Sequence, residues 1–76
     1  MNAERRKALA DISSKLIDIR EDIEAIKEEE EQYMEDIPEN MKGGEKYYKA
    51  SAAVDALDSA ICSIEEAESS IEEASE

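Results

Sequence analysis

The side chains of this sequence that could do chemistry are almost all carboxylates. Asp and Glu account for 22 of the 76 residues, there is no histidine, and there is one cysteine. A pair of carboxylates can act as general acid and base, but only inside a concave site, which a narrow helical protein of this size rarely has. Di-iron and zinc sites need histidine or several cysteines beside the acids. The sequence therefore predicts no enzyme, no cofactor and no metal site.

The acidic residues of the first half could instead form a binding surface. On a helix, carboxylates four residues apart lie about 5–6 Å from each other, close to the spacing of phosphates along a nucleic-acid strand. The candidate partner-binding residues on these outer faces are Asp18, Asp22, Glu24, Glu28, Glu31 and Glu35. Two interpretations stay open: a solvated surface that only keeps the protein soluble, or a mimic of a phosphate backbone that binds a basic protein.

The overall charge narrows the choice of partners. The net charge is −13, and both nucleic acids and anionic membranes attract positive surfaces. We therefore expect no direct binding to either. Three adjacent cations, Arg5, Arg6 and Lys7, are the exception. If several chains assembled, these residues could form an anion site for a small nucleotide ligand.

Apolar residues repeat at alternating steps of three and four along both halves of the chain, a pattern typical of paired helices. The repeat is formed by Leu9, Ile12, Leu16, Ile19, Ile23 and Ile26, and then by Val54, Leu57, Ile61 and Ile64. Pro38 and the pair Gly43–Gly44 are the only strong helix breakers. The sequence predicts an all-α, coiled-coil-like antiparallel hairpin in one domain: a helix over 3–36, a turn over 37–44 and a helix over 45–74.

A chain this short buries little surface, so it needs a staple or a partner. A single cysteine cannot form an internal disulfide, and we expect Cys62 to be a small packing residue beside Ile61. A second stripe, consisting of Ala53, Ala60 and Ala67, could face either helix one or another chain. We expect a homo-oligomer, most simply a dimer that forms a four-helix bundle.

The turn and the second helix resemble a known group of proteins. Residues 36–41 (DIPENM), 44–47 (GEKY) and 54–61 (VDALDSAI) resemble a family of small acidic helical proteins encoded by phages and prophages. The resemblance covers nearly the whole chain, and its specific part is the turn. It implies no known activity and no functional residues. Short acidic phage proteins are frequently inhibitors of host or defence machinery, so a phage origin implies action in the bacterial cytoplasm.

Three functions follow as hypotheses. The first is a non-enzymatic interaction protein that binds and inhibits a basic host or defence protein through its acidic surface. The second is a structural, self-assembling coiled-coil module. The third is an oligomer that sequesters a small anionic nucleotide at Arg5, Arg6 and Lys7. No segment has the roughly 20 apolar residues of a membrane span, so we expect a cytoplasmic protein without a membrane partner.

Overall fold

A computed structural model describes all 76 residues as two long helices joined by a short turn. Helix α1 spans Ala3–Asp36, a single 3₁₀ turn spans Glu39–Met41, and helix α2 spans Glu45–Ala74. The two helices pack against each other in antiparallel order, giving a rod of 59 × 15 × 12 Å. The predicted all-α hairpin is confirmed. Neither helix combines the length and the apolar character that crossing a lipid bilayer requires.

Local interactions explain where the helices begin and end. The Asn2 side chain accepts a hydrogen bond of 2.9 Å from the backbone N–H of Arg5, which satisfies one of the free donors of the first turn of α1. Pro38 disfavours a helical conformation at Ile37, whose backbone is extended, and α1 stops there. Helix α2 follows Gly44, whose N–H donates to the carbonyl of Met41 at 3.0 Å.

Each helix presents one narrow face to the other. On α1 this face contains Leu9, Ser13, Leu16, Arg20, Ile23, Lys27, Glu30, Met34 and Ile37. On α2 it contains Tyr47, Ala50, Val54, Leu57, Ile61, Ile64, Glu68, Ile71 and Ser75. The two series have the same spacing when read in opposite directions, and the Arg20–Glu68 and Lys27–Asp58 pairs set a register in which Ile23 is about level with Ile61. Only Ile37, Ala50 and Ile61 are buried, and the core is correspondingly small.

The single apolar repeat of α1 divides into two columns. Leu9, Leu16 and Ile23 face α2 and are half-buried. The second column, Ile12, Ile19 and Ile26, does not face α2. The exposed fractions of these three residues are 44%, 49% and 54%, respectively. The reason is a rotation of α1 that turns Arg20 and Lys27, rather than the second apolar column, toward α2. There the two cations bond to acids of α2.

The expectation for Cys62 is wrong. Its side chain is exposed, whereas its neighbour Ile61 is buried. Successive residues of an α-helix point about 100° apart, because the helix has 3.6 residues per turn. A residue that follows the centre of the narrow α1–α2 contact therefore faces solvent. The same geometry gives Val54, Leu57 and Ile64 half-buried positions at this contact.

Candidate interaction surface

Two ion-pair clusters join the helices along one side of the rod. The Arg20 guanidinium donates to Oε1 of Glu68 across the hairpin at 3.1 Å and to Oε1 of Glu24 at 3.2 Å. The Lys27 ammonium lies 2.6 Å from Oδ1 of Asp58, also across the hairpin. These bonds fix the register of the two helices, because each cation reaches an acid only when the helices are correctly aligned.

Both cations are stabilised in their charged forms. The hydrogen bond to Glu68 raises the pKa of Arg20 above its usual range, and the bond to Glu24 adds to the effect. The hydrogen bond to Asp58 likewise raises the pKa of Lys27 above its ordinary value. Partial desolvation opposes the shift at both groups, but it is the smaller effect.

This side of the rod is the acidic face. Glu24, Glu28 and Glu31 line a shallow groove there with Lys27 and Asp58. A second groove, nearer the turn, is lined by Glu31, Glu35 and Asp55 among others. The structure thus brings four of the six predicted partner-binding acids together: Glu24, Glu28, Glu31 and Glu35. Asp18 and Asp22 are exposed but lie elsewhere around α1, since 100° per residue places them away from this column.

The opposite side of the rod has a different character. A depression on that side is lined by residues of both helices: Glu30 and Tyr33 of α1, and Lys46 and Lys49 of α2. Steps of seven residues return to the same side of a paired helix. From Tyr33 these steps reach Ile26, Ile19 and Ile12, and from Lys46 they reach Ala53, Ala60 and Ala67. We call this surface, formed by Ile12, Ile19, Ile26 and Tyr33 with Ala53, Ala60 and Ala67, the apolar face.

Acidic residues are missing from the α2 half of the apolar face. Its two columns consist of Lys46, Ala53, Ala60, Ala67 and Ala74, and of Lys49, Ala56, Ser63 and Ser70. Such a run without a carboxylate stands out in a chain with 22 of them. Exposed large apolar side chains beside a stripe of small residues are features that mark a protein–protein contact surface.

The apolar face continues to the turn. A cavity of about 700 Å³ lies there, open to solvent and lined by Tyr33, Ile37, Pro38 and Met41 among others. Met41 is 53% exposed and Tyr33 is 45% exposed, so the turn adds apolar surface to the end of the face. Tyr33 is not among the site residues that the sequence predicted. Its spacing of seven from Ile26 is the signal that identifies it.

The cations at the start of α1 are not gathered within one chain. Arg6 donates to the backbone carbonyl of Ser75 at 3.1 Å and to that of Glu76 at 3.2 Å. It therefore binds the C-terminal end of α2, where the helix dipole favours a positive charge. Arg5 and Lys7 point in other directions, because adjacent helical residues diverge by about 100°. An anion site built from these residues of several chains stays a prediction.

No group of three or more Cys, Asp or Glu side chains has the arrangement that could hold a metal ion. Comparison with known proteins gave no match to a family model, to a curated protein or to a solved structure. The resemblance to small acidic phage proteins therefore stays a prediction.

The Lys27–Asp58 pair gives the first testable consequence. Lys27 has a higher pKa in the folded state than its ordinary value of 10.5, so its contribution to stability is complete below that pH. The contribution is lost as the pH rises through the folded-state pKa. We expect the unfolding temperature to fall as the pH rises above 10.5, and to fall less in Lys27→Gln than in the native protein, as measured by circular dichroism.

The matched control is Lys15→Gln, which removes an exposed lysine that forms no ion pair. This variant should retain the pH dependence of the native protein. Identical pH profiles for Lys27→Gln and the native protein would contradict the assigned role of the Lys27–Asp58 pair.

Proposed function

We propose that this protein is a non-enzymatic interaction protein that self-associates through its apolar face and offers its acidic face to a basic protein partner. The observation that carries the proposal is the segregation of residue types. Four large side chains are exposed in one heptad-spaced column, at Ile12, Ile19, Ile26 and Tyr33. Carboxylates are instead the commonest lining groups of the two grooves on the other side, beside Lys27 and Lys42.

The small core of the hairpin supports self-association. A domain of this size is marginally stable unless a disulfide, a metal or a partner adds to it. The contact between α1 and α2 is partly polar, because Arg20, Lys27, Glu30 and Glu68 lie within it. Covering the apolar face with another helix pair would produce a larger core of the four-helix type.

Self-association through the apolar face would leave the acidic face available to a partner. If the apolar faces meet, the carboxylates of both chains are left on the outside of the bundle. Glu28 and Glu35 are exposed and form no ion pair within the hairpin. A protein with a basic groove, such as one that binds nucleic acid, would fit this surface by charge complementarity.

The resemblance to phage proteins favours one version of this activity. In that version the partner is a host or defence protein in the bacterial cytoplasm, and binding inhibits it by occupying its nucleic-acid site. A purely structural assembly module is the second candidate, because the apolar face alone is sufficient for it. The two candidates differ in whether the carboxylates are needed.

A capture experiment distinguishes these candidates. Tagged native protein would be incubated with bacterial lysate at low and at high salt, and the retained proteins would be identified by mass spectrometry. We expect a basic protein that is retained only at low salt and is displaced by added DNA duplex, because exposed charges attract each other less at high ionic strength. Glu28→Gln, Glu31→Gln and Glu35→Gln together should reduce its capture more than tenfold.

A second triple variant controls for the lost charge. Asp11→Asn, Glu66→Gln and Glu73→Gln remove the same number of carboxylates from exposed positions outside the heptad columns of the acidic face. We expect this variant to capture the basic protein as the native chain does. Capture that survives high salt, or that both triple variants reduce equally, would contradict a specific role for the acidic face and favour the structural module.

A further inference from the structure

The apolar face has a raised half and a recessed half. Ile12, Ile19, Ile26 and Tyr33 form a ridge on α1, and Ala53, Ala60 and Ala67 form a trough on α2. The level pairing of Ile23 with Ile61 places Ala60 level with residue 24. At about 1.5 Å per residue, Ile26 is then within ~3 Å of Ala60 along the rod axis. The same offset of two residues holds at each heptad. Ile19 and Tyr33 therefore lie within ~3 Å of Ala67 and Ala53, respectively, along the rod axis.

We propose that the apolar face is covered by a second copy of this chain, related by a two-fold axis parallel to the helices, so that both turns lie at the same end of the dimer. This inference rests on the proposed self-association and adds its geometry. A rotation about this axis does not change the position of a residue along the rod, but it places α1 of each copy over α2 of the other. The ridge of each copy therefore lies over the trough of the other.

The alternative two-fold axis lies across the rod and puts the turns at opposite ends. In that arrangement α1 meets α1 and α2 meets α2, so ridge rests on ridge and trough faces trough. The isoleucines would then hold the two α2 helices apart and leave a gap above the alanines. Protein interiors are packed nearly as densely as organic crystals, and gaps of this kind are costly.

Charges at the edge of the apolar face are compatible with both turns at the same end. Asp36 ends the column next to the ridge, and Lys49 begins the column next to the trough. With both turns at one end, Asp36 of one copy lies level with Lys49 of the other. Opposite charges placed level with each other in this way strengthen an interface.

A distance between two labels tests the arrangement. Gly43→Cys in a Cys62→Ser background places a single thiol in the turn. A side chain at this position meets no other atom within 4 Å, and the glycine has no positive φ. The probe is a nitroxide spin label on this thiol, read by pulsed electron paramagnetic resonance. Helix axes about 10 Å apart predict a label separation of roughly 10–30 Å for turns at the same end.

The result that would overturn the inference is a separation approaching the rod length of 59 Å. Sedimentation equilibrium of the same labelled sample shows whether the protein is a dimer, which tests self-association independently of the arrangement of the two copies. A dimer with the long distance would overturn the arrangement and leave self-association in place. A monomer would overturn both. Dilution with unlabelled protein should remove the short distance, which shows that it joins two chains.

Discussion

Replacing Ile61 with aspartate is expected to unfold the hairpin. Ile61 is one of three buried residues, and it lies opposite Ile23 in the middle of the rod. Loss of a buried isoleucine side chain costs about 2–5 kcal/mol, and an unpaired buried carboxylate adds to this cost. A domain with a total stability of about 5 kcal/mol would not survive the change. Circular dichroism at 25 °C should show the loss of most of the helical signal.

Cys62→Asp is the matched control for Ile61→Asp. It introduces the same charge one position further along α2, where the side chain is exposed. Surface substitutions of this kind usually change stability by about 0.5 kcal/mol or less. We expect Cys62→Asp to keep the helical signal and nearly the unfolding temperature of the native protein. Equal destabilisation by both substitutions would contradict the assignment of Ile61 to the hairpin core.

Replacing Ile19 and Ile26 together with aspartate is expected to convert a dimer into a monomer. These two side chains are 49% and 54% exposed in the single hairpin, so the substitutions remove little from its own core. Full burial of an isoleucine contributes about 1.5–3 kcal/mol. Two half-exposed residues in each of two chains then contribute roughly 4 kcal/mol, which corresponds to about a thousandfold in the dissociation constant.

Sedimentation equilibrium measures this effect directly. The native protein should have twice the chain mass of 8.5 kDa, and the double variant should have the chain mass itself. The control replaces Ile17 and Ser14 with aspartate, which adds the same two charges on the side of α1 away from the apolar face. The control variant should remain a dimer. A native protein that sediments as a monomer, or a control that dissociates like the test variant, would refute the proposed interface.

The hairpin itself could be predicted because its signals are local. The apolar repeats, Pro38 and the two glycines are sufficient to predict two helices and the turn between them. The orientation of α1 about its own axis could not be predicted in the same way. A repeat of threes and fours places two apolar columns side by side, and either of them can face the partner helix.

Long-range ion pairs accompany the observed orientation of α1 about its own axis. Arg20 reaches Glu68, and Lys27 reaches Asp58, only when α1 is rotated away from Ile19 and Ile26. These partners are 48 and 31 residues apart in the chain, and no local pattern links them. The acidic face was predictable as a set of exposed carboxylates, and helix periodicity alone separates Asp18 and Asp22 from the other four. The rotation of α1 determines which residues of α2 share that face.

Hydroxyl-radical footprinting of the unmodified protein is the most direct test of the central claim, that the apolar face is covered in solution. Ile17, Ile19 and Ile26 have the same intrinsic reactivity, and the first of them lies outside the apolar face. In a free hairpin their exposures of 38%, 49% and 54% predict that Ile17 is oxidised least. The proposed dimer predicts the reverse order, with Ile19 and Ile26 protected and Ile17 oxidised most. If Ile19 and Ile26 are oxidised more than Ile17 at every protein concentration, the apolar face is open and the account is wrong.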